Sequence, residues 1–426
     1  MTTVTHPSAP LAAALASMEI GPILVALGGS NDTGVLATAQ HFQSTAVGGM
    51  LAISVIQPTA PYLAGEYPTL ISPELDQERV TNRDAELKRE ISEVGGGGVW
   101  ETRVKLGDPA YEIAALARAR HSPLIVMGIG RHRPVERWLG VETAAKAIRR
   151  TPCPVLAVSA TAKAPFREAV VAMDFSTASI SAAMAVVPLL ATTAVLNIVH
   201  VWEPSMVDDE RLQAMNVAYT AALPAKFERL RELLSVPAGV TVKHEVREGS
   251  VAAHILTFAD ARHADVIVAG RHGLNAIERL LVGSVTTTLL GGAACSVLIA
   301  PEPSFGQRDG IIRHMSGTTE SRAPHDWAAA IDNFSRRNTG RRTIMEIDNT
   351  ALGAQILETG FVLQGAAYDH HDGRIELMFG DGATRHLTRA IADVTSLSVY
   401  TDHLGSDVAL RVAHGSGQTL LTFIAS

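Results

Sequence analysis

The chain has 426 residues and a formal net charge of −7, so two to three domains are expected, and a nucleic-acid surface, which needs a basic excess, is disfavoured. Its two cysteines are too few for a disulfide framework and suit a reducing cytosol. The N-terminal run MTTVTHPSAPLAAALAS carries no basic region of the kind that starts a secretory signal, and residues 1–17 read as a flexible leader.

Taken in chain order, the sequence repeats itself. Residues 22–30 (PILVALGGS) align with 168–176 (EAVVAMDFS), and 53–58 (ISVIQP) with 199–204 (VHVWEP). Further on, Gly107 aligns with Gly249, Gly128 with Gly270, and Cys153 in CPVLAV with Cys295 in CSVLIA. These anchors agree in order and spacing and define two copies, 18–160 and 165–302. In the second copy REAVVAM reads as a strand, STASISAAMAVVPLLA as a buried helix and AVLNIVHVW as a strand. A long helix follows over 208–235, then VTVKHEVRE as a strand, SVAAHILTFADARH as a helix, ADVIVAG as a strand, SVTTTLLGGAA as a helix and SVLIAP as a closing strand. Apolar strands alternating with helices predict a parallel sheet covered on both faces, with ligands beyond the carboxyl ends of the strands. The uncharged runs 180–199 and 280–301 are interrupted by breakers, so neither is expected to span a membrane.

The most informative stretch is Gly270-x2-Gly273-x9-Gly283-Ser284. Gly270 ends a strand, and Gly283-Ser284 opens a helix whose first amides have no internal partner. With Ser284, Thr286 and Thr287 as further donors, this spacing suits an anion cradle that binds phosphate. The same spacing also fits a tight strand–helix junction with an ordinary serine cap. A Walker A loop is absent, because Val35-Leu36 follow Gly34 where Lys-Ser/Thr would stand, and no Gly-x-Gly-x-x-Gly follows a strand. No Gly-x-Ser-x-Gly elbow and no Cys-x-x-Cys occurs, so neither a serine hydrolase nor a dithiol enzyme is supported.

Asp174 after the first strand, His200-Val201 ending the second, Arg247-Glu248-Gly249 before the third helix and the glycine spacing together resemble a universal stress protein domain of the ATP-binding branch. The resemblance covers about residues 18–302 as a tandem pair and implies two doubly wound, Rossmann-type parallel sheets of the adenine nucleotide α-hydrolase-like kind. It implies ATP in the second copy. Ala172 and Met173 would contribute backbone and Asp174 a carboxylate to the nucleoside, with Val201 bonding adenine through its backbone. Gly270, Arg271, His272 and Gly273 would lie along ribose and phosphates, and Gly283, Ser284, Val285 and Thr286 would hold the distal phosphates. A Mg²⁺ ion would ride on the phosphates, and no catalytic residue is implied beyond weak ATP hydrolysis. The first copy departs at these places. Gly28 stands for Asp174, Arg131 for Gly273, and Val141-Glu142 for Gly283-Ser284. A glutamate at that helix start would oppose phosphate, so the first copy is expected not to bind ATP and to serve as a scaffold.

The resemblance further implies a cytoplasmic protein in nucleotide-dependent stress response or signalling, with no nucleic-acid or membrane partner. The copies would pair through 154–159 and 296–301 as an intramolecular pseudo-dimer, with a homodimer also open. Two other readings stay open: a scaffold with an empty or AMP-occupied site, and a slow ATPase or nucleotidyl transferase. After Pro303, residues 303–324 read as a polar linker. Trp327, Ile331 and Phe334 then place a helix at 3.6-residue spacing, and the strands that follow, separated by turns such as Asp372-Gly373, predict a small α+β domain of mostly antiparallel strands over 325–426. It resembles an uncharacterised bacterial domain family and is expected to meet an unknown protein partner. Asp369-His370-His371-Asp372 reads as a polar hairpin tip rather than a metal cluster, because adjacent strand residues point to opposite faces.

Overall fold

A computed structural model describes residues 21–28, 32–43, 46–57, 73–94, 100–129, 134–162, 164–202, 210–271, 284–349, 353–380, 386–402 and 405–423. The chain divides into two compact units: one holds the described residues up to Trp202, 236–271 and 284–302, the other 210–235 and 303–423.

In the first unit, the first repeat runs β1 (Ile23–Ala26), α1 (Thr33–Phe42), β2 (Met50–Ile56), α2 (Pro73–Glu93), β3 (Glu101–Leu106), α3 (Pro109–Ala119), β4 (Ile125–Gly128), α4 (Pro134–Arg150) and β5 (Val155–Val158). The second runs β6 (Phe166–Ala172), α5 (Thr177–Val186), β7 (Leu190–Trp202), β8 (Thr241–Glu248), α7 (Val251–Ala261), β9 (Val266–Gly270), α8 (Ser284–Gly292) and β10 (Ser296–Ala300), and its sequence between β7 and β8 forms α6 (Glu210–Leu234), which belongs to the other unit. The uncharged run 180–199 divides at Pro188, where α5 gives way to one 3₁₀ turn and then to β7. No helix among the described residues is long and apolar enough to cross a membrane.

All ten strands join one sheet in the order β3-β2-β1-β4-β5-β10-β9-β6-β7-β8. Every neighbouring pair is parallel except β5 with β10, which run antiparallel with Leu156 opposite Leu298. Each repeat therefore has the same strand order, mirrored about this seam. Its leucines are fully buried, and the Ser159 amide donates to Ser296 Oγ across it at 3.2 Å. Pairing the two closing strands also removes two sheet edges that would otherwise invite aggregation.

The second unit is an eight-stranded antiparallel sheet. Its elements after α9 (Phe305–Met315) are β11 (Thr318–Arg322), α10 (Trp327–Asn338), β12 (Arg342–Asn349), β13 (Gly353–Asp369), β14 (Arg374–Gly380), β15 (His386–Ile391), β16 (Val394–Thr401), β17 (Asp407–His414) and β18 (Gly417–Phe423). They lie in the order β11-β16-β17-β18-β12-β13-β14-β15. Trp327, Ile331 and Phe334 of α10 are buried against Leu363, Phe379, Leu410 and their neighbours, as the helical spacing predicts.

The linker expected over 303–324 is instead α9 and the edge strand β11. Ser304 and Gln307 form a capping box that starts α9. Phe305 and Ile312 pack with Tyr400, Ala409 and Leu420. Polar contacts add to these: Arg308 pairs with the buried Glu346, and the Tyr400 hydroxyl donates to Asp309 Oδ1 at 2.9 Å. A helix buried through charged residues carries little hydrophobic periodicity, and Gly306 and Gly310 disguise it further. Although α6 lies within the sequence of the second repeat, it clusters with this unit. Arg229 Nη1 donates to the Met315 carbonyl at 3.0 Å, and His314 Nε2 lies 2.9 Å from the Arg229 carbonyl.

Candidate functional site

The carboxyl ends of β6, β7 and β9 bring the predicted residues of the second repeat to one edge. Ala172 is the last residue of β6 and pairs with Val199 of β7. The Met173 amide donates to the Val199 carbonyl at 2.9 Å, which closes the β6–β7 ladder. Among the described residues, no strand pairs with β7 beyond it on that side. In a parallel strand successive residues aim their amide and carbonyl to alternate neighbours. Val199 faces β6, and the Trp202 carbonyl accepts from Gly249 on the β8 side. The Val201 amide and carbonyl therefore point toward β6, two residues past its last partner, where a donor–acceptor pair can meet the edge of a base. The Val201 side chain is buried in the core.

The chain after β6 turns sharply. Phe175 takes a left-handed conformation at φ 61°, and its ring lies 5.3 Å from that of the buried His200. His200 Nδ1 in turn sits 2.7 Å from the Met173 carbonyl. Asp174 Oδ1 accepts from the Ser176 amide at 3.0 Å and hydroxyl at 2.6 Å, and Ser176 caps α5 by accepting from the Ser179 amide at 3.1 Å. The Asp174 carboxylate is thus oriented by the start of α5, and it is only partly buried. Phe175 and the His200 hook carry no sequence signal of their own. Only the repeat alignment exposes the hook, since Ser54 at the position of His200 makes the same bond, Oγ to the Leu27 carbonyl at 2.9 Å.

Gly270 ends β9. A Cβ there would lie 2.8 Å from the Ala178 carbonyl carbon and Cβ, so the glycine permits α5 to press against the strand end. Its counterpart Gly128 would meet only a Val35 methyl at 3.2 Å. Arg271 does not face open solvent as a phosphate ligand would. Its amide donates to the Ala300 carbonyl at 2.7 Å, and its Nη1 donates to Ile148 and Thr151 carbonyls at 3.1 and 3.3 Å, at the end of α4. His272, Gly273 and Gly283 lie outside the described residues. Ser284 is the first residue of α8 and is exposed, so the opening amides of that helix start at this corner. Val285 packs against the core. Thr286 is buried, and its hydroxyl, expected to serve phosphate, donates instead to the Gly270 carbonyl at 3.0 Å. What Thr286 can offer a ligand is its backbone amide.

The first repeat differs at the helix that follows its fourth strand, while Arg131 lies outside the described residues. Its helix α4 begins at Pro134 and runs unbroken through Val141 and Glu142. The expectation of a glutamate at a helix start is therefore corrected. Without a glycine at 141 the helix extends backward to a proline that suits its first turn, and Glu142 sits mid-helix paired with Lys146 at 2.7 Å. Mid-helix amides are bonded to the preceding turn and cannot cradle an anion. Near the β2 end, Arg83 of α2 donates through Nε to Ser54 Oγ at 3.0 Å and pairs with Glu90 at 2.8 Å.

Elsewhere, residues 370–373 form the hairpin tip that was expected. Asp369 Oδ1 accepts from the His371 amide at 2.9 Å, and Arg374 lies 3.1 Å from Asp372. Among the described residues no group of three or more His, Cys, Asp or Glu is placed to hold a metal ion.

Comparison with known proteins adds the family. The universal stress protein family matches residues 19–159 and again 165–301, and a family of unknown function, DUF5335, matches 319–425. A universal stress protein of Methanocaldococcus jannaschii is 40% identical over 65 residues, covering 15% of this chain and 38% of that protein, so the match spans well under half of that relative's length. Among solved structures, a universal stress protein from Archaeoglobus fulgidus is similar at 20% identity, with 66% of this chain and 96% of that one covered and a TM-score of 0.46. Another, a universal stress protein in complex with cAMP, is 21% identical over 32% of this chain and 96% of its own, with a TM-score of 0.25. With both repeats matched over most of the chain, the protein belongs to the universal stress protein family.

Proposed function

We propose that the second repeat binds ATP, with Mg²⁺ carried on the phosphates, and that the protein acts in nucleotide-dependent stress response or signalling. The observation that carries this reading is the opening on one sheet edge of three complementary groups. They are the Val201 amide and carbonyl, the Asp174 carboxylate and the first amides of α8. A base edge needs a donor beside an acceptor, ribose hydroxyls suit a carboxylate, and phosphate suits the positive end of a helix. In this reading Ala172, Met173, Gly270 and Val285 shape the corner through backbone and packing. The first repeat, lacking a helix start at Glu142, acts as a scaffold within a pseudo-dimer joined at β5 and β10, and the C-terminal unit carries partner recognition.

The engagement of the Arg271 guanidinium and the Thr286 hydroxyl with protein carbonyls favours a second reading, in which fewer phosphates are held and AMP occupies the site. One experiment separates the two. Nucleotide released from the purified protein is identified by mass spectrometry, and affinities for ATP and AMP are measured by calorimetry. ATP binding lost in Gly283→Arg supports the first reading, AMP binding of equal or greater strength the second, and no binding of either nucleotide removes both.

A further inference from the structure

We infer that Arg271 is a positioning residue through which the first repeat holds the nucleotide corner of the second; this rests on the nucleotide reading above. The Arg271 guanidinium reaches across to the C-terminal end of α4. Its Nη1 lies 3.1 Å from the Ile148 carbonyl, 3.3 Å from Thr151 and 3.5 Å from Arg149. The remaining carbonyl of that end, Arg150, accepts from Arg118 of α3 at 2.8 Å. The last carbonyls of a helix have no partner within it and carry its partial negative charge, so a guanidinium is the side chain best suited to cap them. Two arginines share this helix end, one from its own repeat and one from the other.

Arg271 is also tied to the candidate site. It follows Gly270, which packs so closely on the start of α5 that a Cβ there would lie 2.8 Å from Ala178. Its amide is bonded to Ala300, and its own carbonyl lies 3.4 Å from the Thr286 hydroxyl, which also holds Gly270. A continuous path therefore runs from the α4 end through the Arg271 side chain and backbone to Thr286 in the first turn of α8. The path has one direction. The first repeat places Ile129 at the equivalent position, with the same backbone bond to Val158 at 3.0 Å but a buried apolar side chain that donates nothing. The pseudo-symmetry is broken so that the repeat with an intact helix start is braced by the other.

The test compares Arg271→Ala, Arg271→Lys and Arg118→Ala in the full-length protein. Arg271→Ala and Arg118→Ala each remove one cap from the same helix end, and both lower the thermal midpoint. Only Arg271→Ala is expected to raise the ATP dissociation constant, by about ten-fold, the loss of one charge-assisted bond, while Arg118→Ala stays within about two-fold. Arg271→Lys, a point charge able to keep one carbonyl, falls between. Equal effects of the two alanine variants, or an unchanged constant in Arg271→Ala, overturn the inference and leave the nucleotide reading standing. Hydrogen exchange without nucleotide judges the brace independently of binding. If the unchanged protein binds no nucleotide, the reading above fails. The brace is then supported by an amide at position 271 that exchanges about ten-fold faster in Arg271→Ala than in Arg118→Ala, and equal rates overturn it.

Discussion

Helices α4 and α8 occupy the same place in two copies of one fold, yet α4 spans Pro134–Arg150 and α8 only Ser284–Gly292. The shorter one presents its opening amides at the end of β9, and the longer one covers the matching place with bonded backbone. The helix beside the candidate site thus differs between the copies while the strand order of the sheet does not. The strands, the β5–β10 seam and the closing turns survive in both copies because they serve burial. Around the candidate site the copies differ at Gly28 against Asp174, Ser54 against His200, Ile129 against Arg271, Arg131 against Gly273, and Val141-Glu142 against Gly283-Ser284.

The largest effect expected on this contrast comes from Ser284→Glu, which copies Glu142. A carboxylate beside phosphate at the helix start should weaken ATP binding roughly 100-fold by calorimetry, a like-charge contact of about 2.7 kcal/mol. The reverse change, Glu142→Ser, should create no binding, because serine within α4 frees no amide. Binding gained by Glu142→Ser would break the comparison.

Next come the paired glycines. Gly270→Ala forces a methyl against the Ala178 backbone at 2.8 Å, an overpacking expected to cost about 2–3 kcal/mol in urea unfolding. Gly128→Ala meets a rotatable Val35 side chain at 3.2 Å and should cost less than about 1 kcal/mol. Similar midpoints for the two variants would mean that α5 and α1 sit equally far from their strands.

The two hooks behind the first strands differ more modestly. Removing His200 leaves the Met173 carbonyl without its ring nitrogen and takes a tilted ring contact from Phe175, so His200→Ala should destabilise by about 2 kcal/mol. Ser54→Ala deletes one hydroxyl bond and should cost about 1 kcal/mol by the same unfolding measurement.

Much of this architecture was legible in the sequence, because continuous apolar strands and glycine-punctuated turns repeat at matching places. The alternation of strands and helices along the chain, the break at Pro188 and the α10 core residues follow from those patterns. The direction of a long side chain does not. Arg271 reads as a loop cation in a phosphate motif, and only the fold reveals that the α4 end lies within its reach. Thr286 reads as a donor for ligand, and only burial shows that its hydroxyl serves Gly270. α9 escaped notice because the residues it buries include Arg308 and Asp309, whose partners Glu346 and Tyr400 are distant in sequence.

The smallest expected effect is chemical rather than energetic and concerns the aligned cysteines. Cys153 is buried, and burial pushes its thiol up to about 11, with the Thr151 hydroxyl 3.1 Å away opposing only part of that rise. At pH 8 its thiolate is then roughly one part in a thousand, and the thiolate is the species that alkylates. Cys295, at the same place before β10, is only partly buried. Iodoacetamide at pH 8 should therefore label Cys295 first and Cys153 only on unfolding, as read by mass spectrometry of peptides. Raising the pH to 9 should speed the slow labelling of Cys153 about ten-fold, because its thiolate rises to only about one part in a hundred. Equal labelling of both cysteines in the folded protein would mean that the two strand entries are equally open, and that the copies differ less here than at their helices.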